Sequence, residues 1–222
     1  MEIYEKFQTL HAMSQVATIV LNRNLPEVTD RLCENLTLHN PGLTDVFVVE
    51  AGSDPDKLSK HVTWHADWEE ATKNGLRYSR GMNFGLSKLW DEGKFSSYEA
   101  FFLLTNDTEL PAAPTLEPLL RELEHHERLG LLSPCSKTWG EKELIKSTGI
   151  KYFWFIHNNA YLMRRQFIED VCEKKQGDYL NFLFDGSNFR GYLSESELIA
   201  KAYANDWAAA ITNAVYVEEN EN

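Results

Sequence analysis

Four polar clusters at the ends of predicted strands, and a fifth at the start of a helix, offer side chains able to do chemistry. Thr105-Asn106-Asp107-Thr108 halts the apolar run Ala100 to Leu104. An aspartate emerging there is placed to hold a hard cation such as Mn²⁺ or Mg²⁺ through oxygen, with Asn106 beside it, and such a cation neutralises a diphosphate leaving group. An Asx turn uses the same residue types. Asn22, Arg23 and Asn24 follow the run Val16 to Leu21. Their amides suit a base or a phosphate, and Asn24 equally suits a helix N-cap with Glu27 as its capping-box partner. Glu50, Gly52 and Ser53 end the run Val46 to Val49, where a carboxylate accepts from a ribose hydroxyl or a base N–H and an ordinary turn is the alternative. In Arg80-Gly81-Met82-Asn83-Phe84-Gly85 the glycines would let backbone approach a phosphate and Arg80 would supply charge; a helix-entry loop with a solvated arginine is the competing reading. Ser194-Glu195-Ser196-Glu197 places two carboxylates in a first helical turn, as a capping box or as the source of a general base. His157 lies between two apolar runs and could face a cleft, whereas His125 and His126 fall on the polar side of a helix.

Short apolar runs with helical patterns between them are the mark of βαβ units. Val16–Leu21, Val46–Val49 and Ala100–Leu104 are apolar on both faces, as central strands of a covered parallel sheet must be. Leu129–Leu132, Tyr152–Ile156 and Ala160–Met163 are further strand candidates. Helices are expected from Pro26, with Val28, Leu32 and Leu36 on one face, through Leu86, Leu89 and Trp90, over Leu116 to Leu123, over Arg165 to Lys174, and from Ser194. The stretch from Arg77 to Gly85 reads as a loop feeding its helix, Gly177 to Gly191 as a mobile loop, and the acidic tail from Glu218 as frayed. No repeat or interdomain linker is evident. The expectation is one α/β domain over residues 1–222, a mostly parallel central sheet flanked by helices. Its ligands bind at the carboxyl edge of the strands.

Composition narrows the function classes. The 222 residues carry 22 Lys and Arg against 34 Asp and Glu, a net charge of −12, so the average surface repels nucleic acid and acidic membranes. Three cysteines without a CxxC pair suggest neither a zinc ribbon nor a disulfide framework. No signal-peptide pattern and no apolar stretch of about 18 residues is present, so no integral membrane segment is expected and the reading is cytoplasmic.

In order and spacing the clusters resemble the inverting glycosyltransferases of family 2, rhamnosyltransferase-like enzymes with the GT-A type of fold, over roughly residues 16 to 217. Val16 to Asn24 resembles the family's opening strand and asparagine-containing loop, and Val48-Val49-Glu50-Ala51-Gly52-Ser53 its VVDNGS-like segment. Arg80 to Gly85 matches its R..G.N.G stretch, and Phe102 to Thr108 stands at the DxD position. The resemblance implies a nucleotide-binding half over about 16–108 and an acceptor-binding half over about 109–217. Asn22, Asn24, Glu50, Gly52, Ser53, Arg80, Asn83, Gly85 and Asn106 would contact a UDP-, dTDP- or GDP-sugar, and Asp107 would hold the metal. Phe184-Asp185 with Ser194-Glu195-Ser196-Glu197-Leu198 resembles the FDE...EDxDL region, which makes Glu195 the catalytic base. Asp185, His157 and Asn158 would line the site of a glycan or other hydroxyl acceptor, with Trp154, Phe155 and the aromatic stretch Phe184 to Tyr192 as stacking or core residues. Thr105 replaces the first aspartate of DxD, Ser194 the first acid of the later motif, and no histidine stands near Val217. These departures keep open a non-catalytic sugar- or nucleotide-binding domain of the same fold. A nucleotidyltransferase is a weaker alternative, because the loop after the first strand lacks glycine.

Overall fold

The structure, a computed structural model, describes residues 15–138, 142, 149–153, 159–173 and 178–220. Chain order runs β1 Val16–Asn22, α1 Pro26–His39, β2 Thr44–Glu50, β3 Val62–His65, α2 Glu69–Asn74, α3 Arg77–Asp91, β4 Ala100–Thr105, β5 Thr108–Glu109 and α4 Leu116–His125. It continues with β6 Leu129–Ser136, β7 Ile150–Tyr152, β8 Ala160–Arg164, α5 Arg165–Val171, α6 Ser194–Ala204 and β9 Ala208–Glu219. The nine strands form a mixed sheet in the order β3-β2-β1-β4-β8-β6-β9-β5, with β7 on β9. β3, β2, β1 and β4 are parallel neighbours, and β6 and β9 are parallel. β8 is antiparallel to both β4 and β6.

Alternation along the strands divides the core. Val16 and Val20 of β1, with Phe102 and Leu104 of β4, pack under α1 and α4 through Leu32, Leu36, Leu119 and Leu123. Ala17 and Ile19, with Phe101 and Leu103, face α3, α5 and α6 through Met82, Leu86, Phe167 and Leu198. Helices thus cover both faces, which is why these strands read as continuous apolar runs.

Four local expectations are corrected. The stretch from Arg77 to Gly85 is not a loop: it is the first half of α3. Its glycines face the sheet, where a Cβ on Gly81 would lie 2.2 Å from Leu21 Cδ1 and one on Gly85 2.9 Å from Ile19 Cγ2. They let the helix sit close on β1 and β2 and do not expose backbone to a phosphate. Asn24 does not cap α1; at φ 60° it turns away, its Oδ1 accepting from Asp54 N at 2.8 Å and its own N donating to Ser53 Oγ at 3.1 Å. Ser194 and Glu197 do not close a capping box, since Ser194 Oγ donates to Gly191 O and Glu197 accepts from Asp185 N. Nor does the tail fray at Glu218: β9 runs to Glu219 and pairs its end with Thr108 and Glu109. Trp154, Phe155, His157 and Asn158 lie outside the described residues.

Candidate active site at the carboxyl edge of the sheet

Parallel pairing brings the carboxyl ends of β1, β2 and β4 side by side, with Asn22 opposite Glu50 and Leu21 opposite Thr105. Four expected site residues, Asn22, Glu50, Ser53 and Asn106, meet there in one hydrogen-bonded network. Asn22 Nδ2 donates to both Glu50 oxygens at 2.9 and 3.0 Å, and Asn22 Oδ1 accepts from Asn106 Nδ2 at 2.8 Å. Glu50, fully buried, also accepts from Ser53 Oγ and from Ser59 N at 2.8 Å. A buried carboxylate with this many donors is satisfied by the protein itself. Gly52 makes the turn possible: its φ is +86°, and a Cβ there would lie 1.8 Å from the carbonyl oxygen of Ala71.

Arg80 and Asn83, on successive turns of α3, reach the segment from 179 to 191. Buried Asn83 donates to Phe184 O at 2.8 Å and accepts from the N–H groups of Leu183 and Phe184 at 2.9 Å each. Arg80 Nε donates to Gly186 O at 2.7 Å, its Nη1 pairs with Glu70 at 3.0 Å, and its guanidinium lies 4.9 Å from the Phe189 ring centre. The described part of the expected mobile loop is therefore tied down, with Phe182, Leu183 and Phe184 buried. Asp185 is exposed, and its carboxylate is held below the usual range by hydrogen bonds from Ser187.

Leu193, in the left-handed region at φ 64°, turns the chain into α6 and delivers Glu195 to its first turn. Ser79 Oγ meets Ser194 Oγ at 3.2 Å, which docks the start of α3 onto the start of α6. The two carboxylates of this turn have different fates. Glu197 accepts from Asp185 N and pairs with Lys201, which in turn donates to Leu183 O. Glu195, only 7% exposed, takes no side-chain hydrogen bond from the described residues, and burial raises its pKa while its own backbone N–H lowers it. A carboxylate so desolvated and unshared has the properties of a general base.

Asp107 follows Thr105 and Asn106 in a tight turn bracketed by Asn159, whose carbonyl accepts from Thr105 N at 3.2 Å and Thr108 Oγ1 at 2.9 Å. Asp107 Oδ1 is buried and has no hydrogen-bond partner. No group of three or more His, Cys, Asp or Glu that could hold a metal occurs among the described residues. An orphaned carboxylate oxygen at a strand end fits a Mg²⁺- or Mn²⁺-type ion bound through one carboxylate, with phosphates and water supplying the remaining oxygens.

Two polar groups of this edge were missed by sequence reasoning. Tyr78 Oη and Asn159 Nδ2 are buried without a hydrogen-bond partner. Burial and the charge of Glu195 raise the Tyr78 phenol far above its ordinary pKa, so it stays protonated. Asn159 immediately precedes the strand candidate Ala160–Met163, and its place at this edge depends on how that strand pairs. Because β8 is antiparallel to β4, the start of β8 lies where β4 ends.

Solved structures share this architecture. A mannosyltransferase from Pyrobaculum calidifontis in complex with GDP-Man and Mn²⁺ matches with a TM-score of 0.61 at 12% identity, covering 94% of this chain and 57% of that one. GalNAc-T7 with UDP, GalNAc and Mn²⁺ matches at 0.68 and 11% identity over 93% of this chain and 44% of that one. Residues 1–349 of Staphylococcus aureus TarS in complex with UDP match at 0.65 and 13% identity, over 92% and 60%. The fold is thus of the GT-A type expected from the sequence, a mixed α/β sheet between layers of helices. The chain spans about half the length of these structures. No family model and no curated protein matches its sequence. No helix among the described residues is long and apolar enough to cross a membrane.

Proposed function

We propose that this chain is a glycosyltransferase that moves a sugar from a nucleotide-diphosphate sugar to an acceptor hydroxyl with inversion at the anomeric carbon. The observation that carries the reading is Glu195: a buried, unshared carboxylate of raised pKa, on the same sheet edge as the orphaned oxygen of Asp107. Glu195 takes the acceptor's hydroxyl proton as that oxygen attacks the anomeric carbon, and the nucleoside diphosphate leaves from the opposite face. Asp107 would hold a Mn²⁺ or Mg²⁺ ion, which supplies neutralisation of the departing diphosphate. The Asn22–Glu50–Asn106 network, with buried Ser53 bonded to Glu50, fixes the loops that would meet the nucleoside, and the same loops carry Asn24 and Gly52. Arg80, Asn83 and Gly85 act through packing, by setting α3 on the sheet and the 179–191 segment on α3. Asp185, with His157 and Asn158, would border the acceptor. The complexes of the similar folds with GDP-Man, UDP and Mn²⁺ support this reading.

Thermal stability against UDP-, GDP- and dTDP-sugars, each with and without Mn²⁺, tests it, because a ligand of the folded state raises stability by mass action. A shift that needs both donor and Mn²⁺, followed by release of nucleoside diphosphate when acceptor is added, is the expected result. Release of pyrophosphate would indicate nucleotidyl transfer, and the absence of any shift in folded protein would indicate a domain without this chemistry.

A further inference from the structure

Asn159 is 4% exposed, yet its side-chain Nδ2 donates to nothing. Its backbone carbonyl is engaged, taking two hydrogen bonds from the residues flanking Asn106 and Asp107. A buried amide without an acceptor costs the folded protein the desolvation of that group. Leucine or alanine would serve a purely structural position better. The other orphan of this turn is Asp107 Oδ1, an acceptor. An unpaired donor on the residue bonded to this turn and an unpaired carboxylate oxygen on the turn itself, not satisfying each other, are jointly satisfied by a ligand that brings an oxygen to the amide and a cation to the carboxylate.

We propose that Asn159 is a substrate-binding residue whose amide Nδ2 donates to an oxygen of the diphospho-sugar portion of the donor, next to Asp107. The inference rests on the transferase reading and adds a residue that neither the motifs nor the strand ends supplied. An amide is suited to this place because its NH₂ gives directed donors without the positive charge that would compete with a cation on Asp107. It also places a neutral hydrogen-bonding group on a turn where Thr105 leaves the carboxylate of Asp107 alone.

The test compares the full chain with Asn159→Ala and Asn159→Asp by thermal shift and titration calorimetry. The ligands are MnCl₂ alone, uridine and guanosine, UDP and GDP, and UDP-N-acetylgalactosamine and GDP-mannose. Without ligand, Asn159→Ala should melt within roughly 2 °C of the parent, because the amide it loses was unpaired. Its Kd for the diphosphate or sugar-diphosphate ligand should rise about ten- to a hundredfold, while nucleoside binding is unchanged. Weakening already present with UDP or GDP assigns the bond to a phosphate oxygen; weakening seen only with the nucleotide sugar assigns it to the sugar. Asn159→Asp, nearly isosteric, sets a second carboxylate on this turn and should increase the shift produced by MnCl₂ alone. A melting point several degrees lower for both variants makes the amide structural and overturns the inference. So do unchanged sugar-nucleotide affinity in Asn159→Ala, or an unaltered MnCl₂ response in Asn159→Asp. If the parent protein binds none of these nucleotides, the transferase reading itself falls, an outcome separate from the behaviour of the variants.

Discussion

Glu195→Gln separates chemistry from stability at a single atom. The substitution keeps the shape of the side chain and removes its ability to take a proton. Loss of a positioned general base costs about 10²- to 10⁴-fold in rate, which is roughly 3 to 5 kcal/mol of transition-state stabilisation. The stability effect should run the other way. Burial raises the folded-state pKa of Glu195 above its unfolded value, so the protonated form is the one folding favours. Whatever stability this group contributes is complete below the ordinary carboxylate range and is lost as pH rises through the raised pKa. At pH 7 to 8 the parent carries a desolvated charge and Glu195→Gln does not. The variant should therefore melt at the same temperature or higher, with its advantage shrinking towards pH 4. The rate of nucleoside diphosphate release in the parent should fall as pH drops through a pKa above that of a free glutamate, and the variant should lack this limb. Paired pH–rate and pH–melting curves measure both. Activity within tenfold of the parent, or a lower melting point that does not depend on pH, would refute the assignment of Glu195 as base.

Glu197→Gln is the matched control: the carboxylate already serves Asp185 N and Lys201, so it should retain more than a tenth of parental turnover and lose about 1 kcal/mol in urea unfolding. Asn83→Ala strands the buried N–H groups of Leu183 and Phe184. It should cost about 2 to 5 kcal/mol and open the 179–191 segment to limited proteolysis. Gly52→Ala forces a side chain into a left-handed turn against the Ala71 carbonyl; a loss of about 2 to 4 kcal/mol is expected, read as a drop in Tm of roughly 5 to 15 °C. Asp107→Asn should leave the unliganded melting point within a few degrees and remove the Mn²⁺-dependent part of the nucleotide-sugar shift.

The central strands were legible because burial on both faces demands apolar residues at every position, so Val16–Leu21 and Ala100–Leu104 stood out without alignment. Helix α4 was legible from the spacing of Leu116, Leu119, Leu120 and Leu123. The helical character of Arg77 to Gly85 was hidden because its two glycines lower local helix propensity. Their reason lies in the approach of α3 to Leu21, Ile19 and Val49, a contact between segments far apart in the chain. β9 was hidden in a different way. Ala208-Ala209-Ala210 has no strong strand preference, and only pairing with β6 and β7 makes it extended. Caps failed for a related reason: Asn24 and Glu197 each found a partner distant in the chain, and Ser194 Oγ turned back to the Gly191 carbonyl and so does not cap the helix N–H groups.

The residue types at the carboxyl edge were readable, but the division of labour among them was not, because it depends on which polar atoms the protein has already satisfied. Asn22, Glu50, Asn83 and Glu197 have the side chains of a binding site, and each is committed to protein hydrogen bonds. Breaking one of those to bind a ligand would expose an unpaired partner, a cost that a ligand contact would first have to offset. Asp107, Asn159 and Tyr78 are the reverse: each keeps a buried polar atom unpaired in the folded protein. Glu195 keeps a carboxylate that no described side chain shares. Groups of this second kind lower stability until something binds; Asn35 and Arg165 keep such atoms elsewhere, but the meeting of Asp107, Asn159 and Tyr78 with the unshared Glu195 carboxylate is what a site shaped around a ligand requires. The first set builds the rim and the second set faces what enters it. On that division, substitutions in the first set should act mainly through melting temperature. Those in the second should act mainly through affinity and rate, with the unliganded protein left as stable as before.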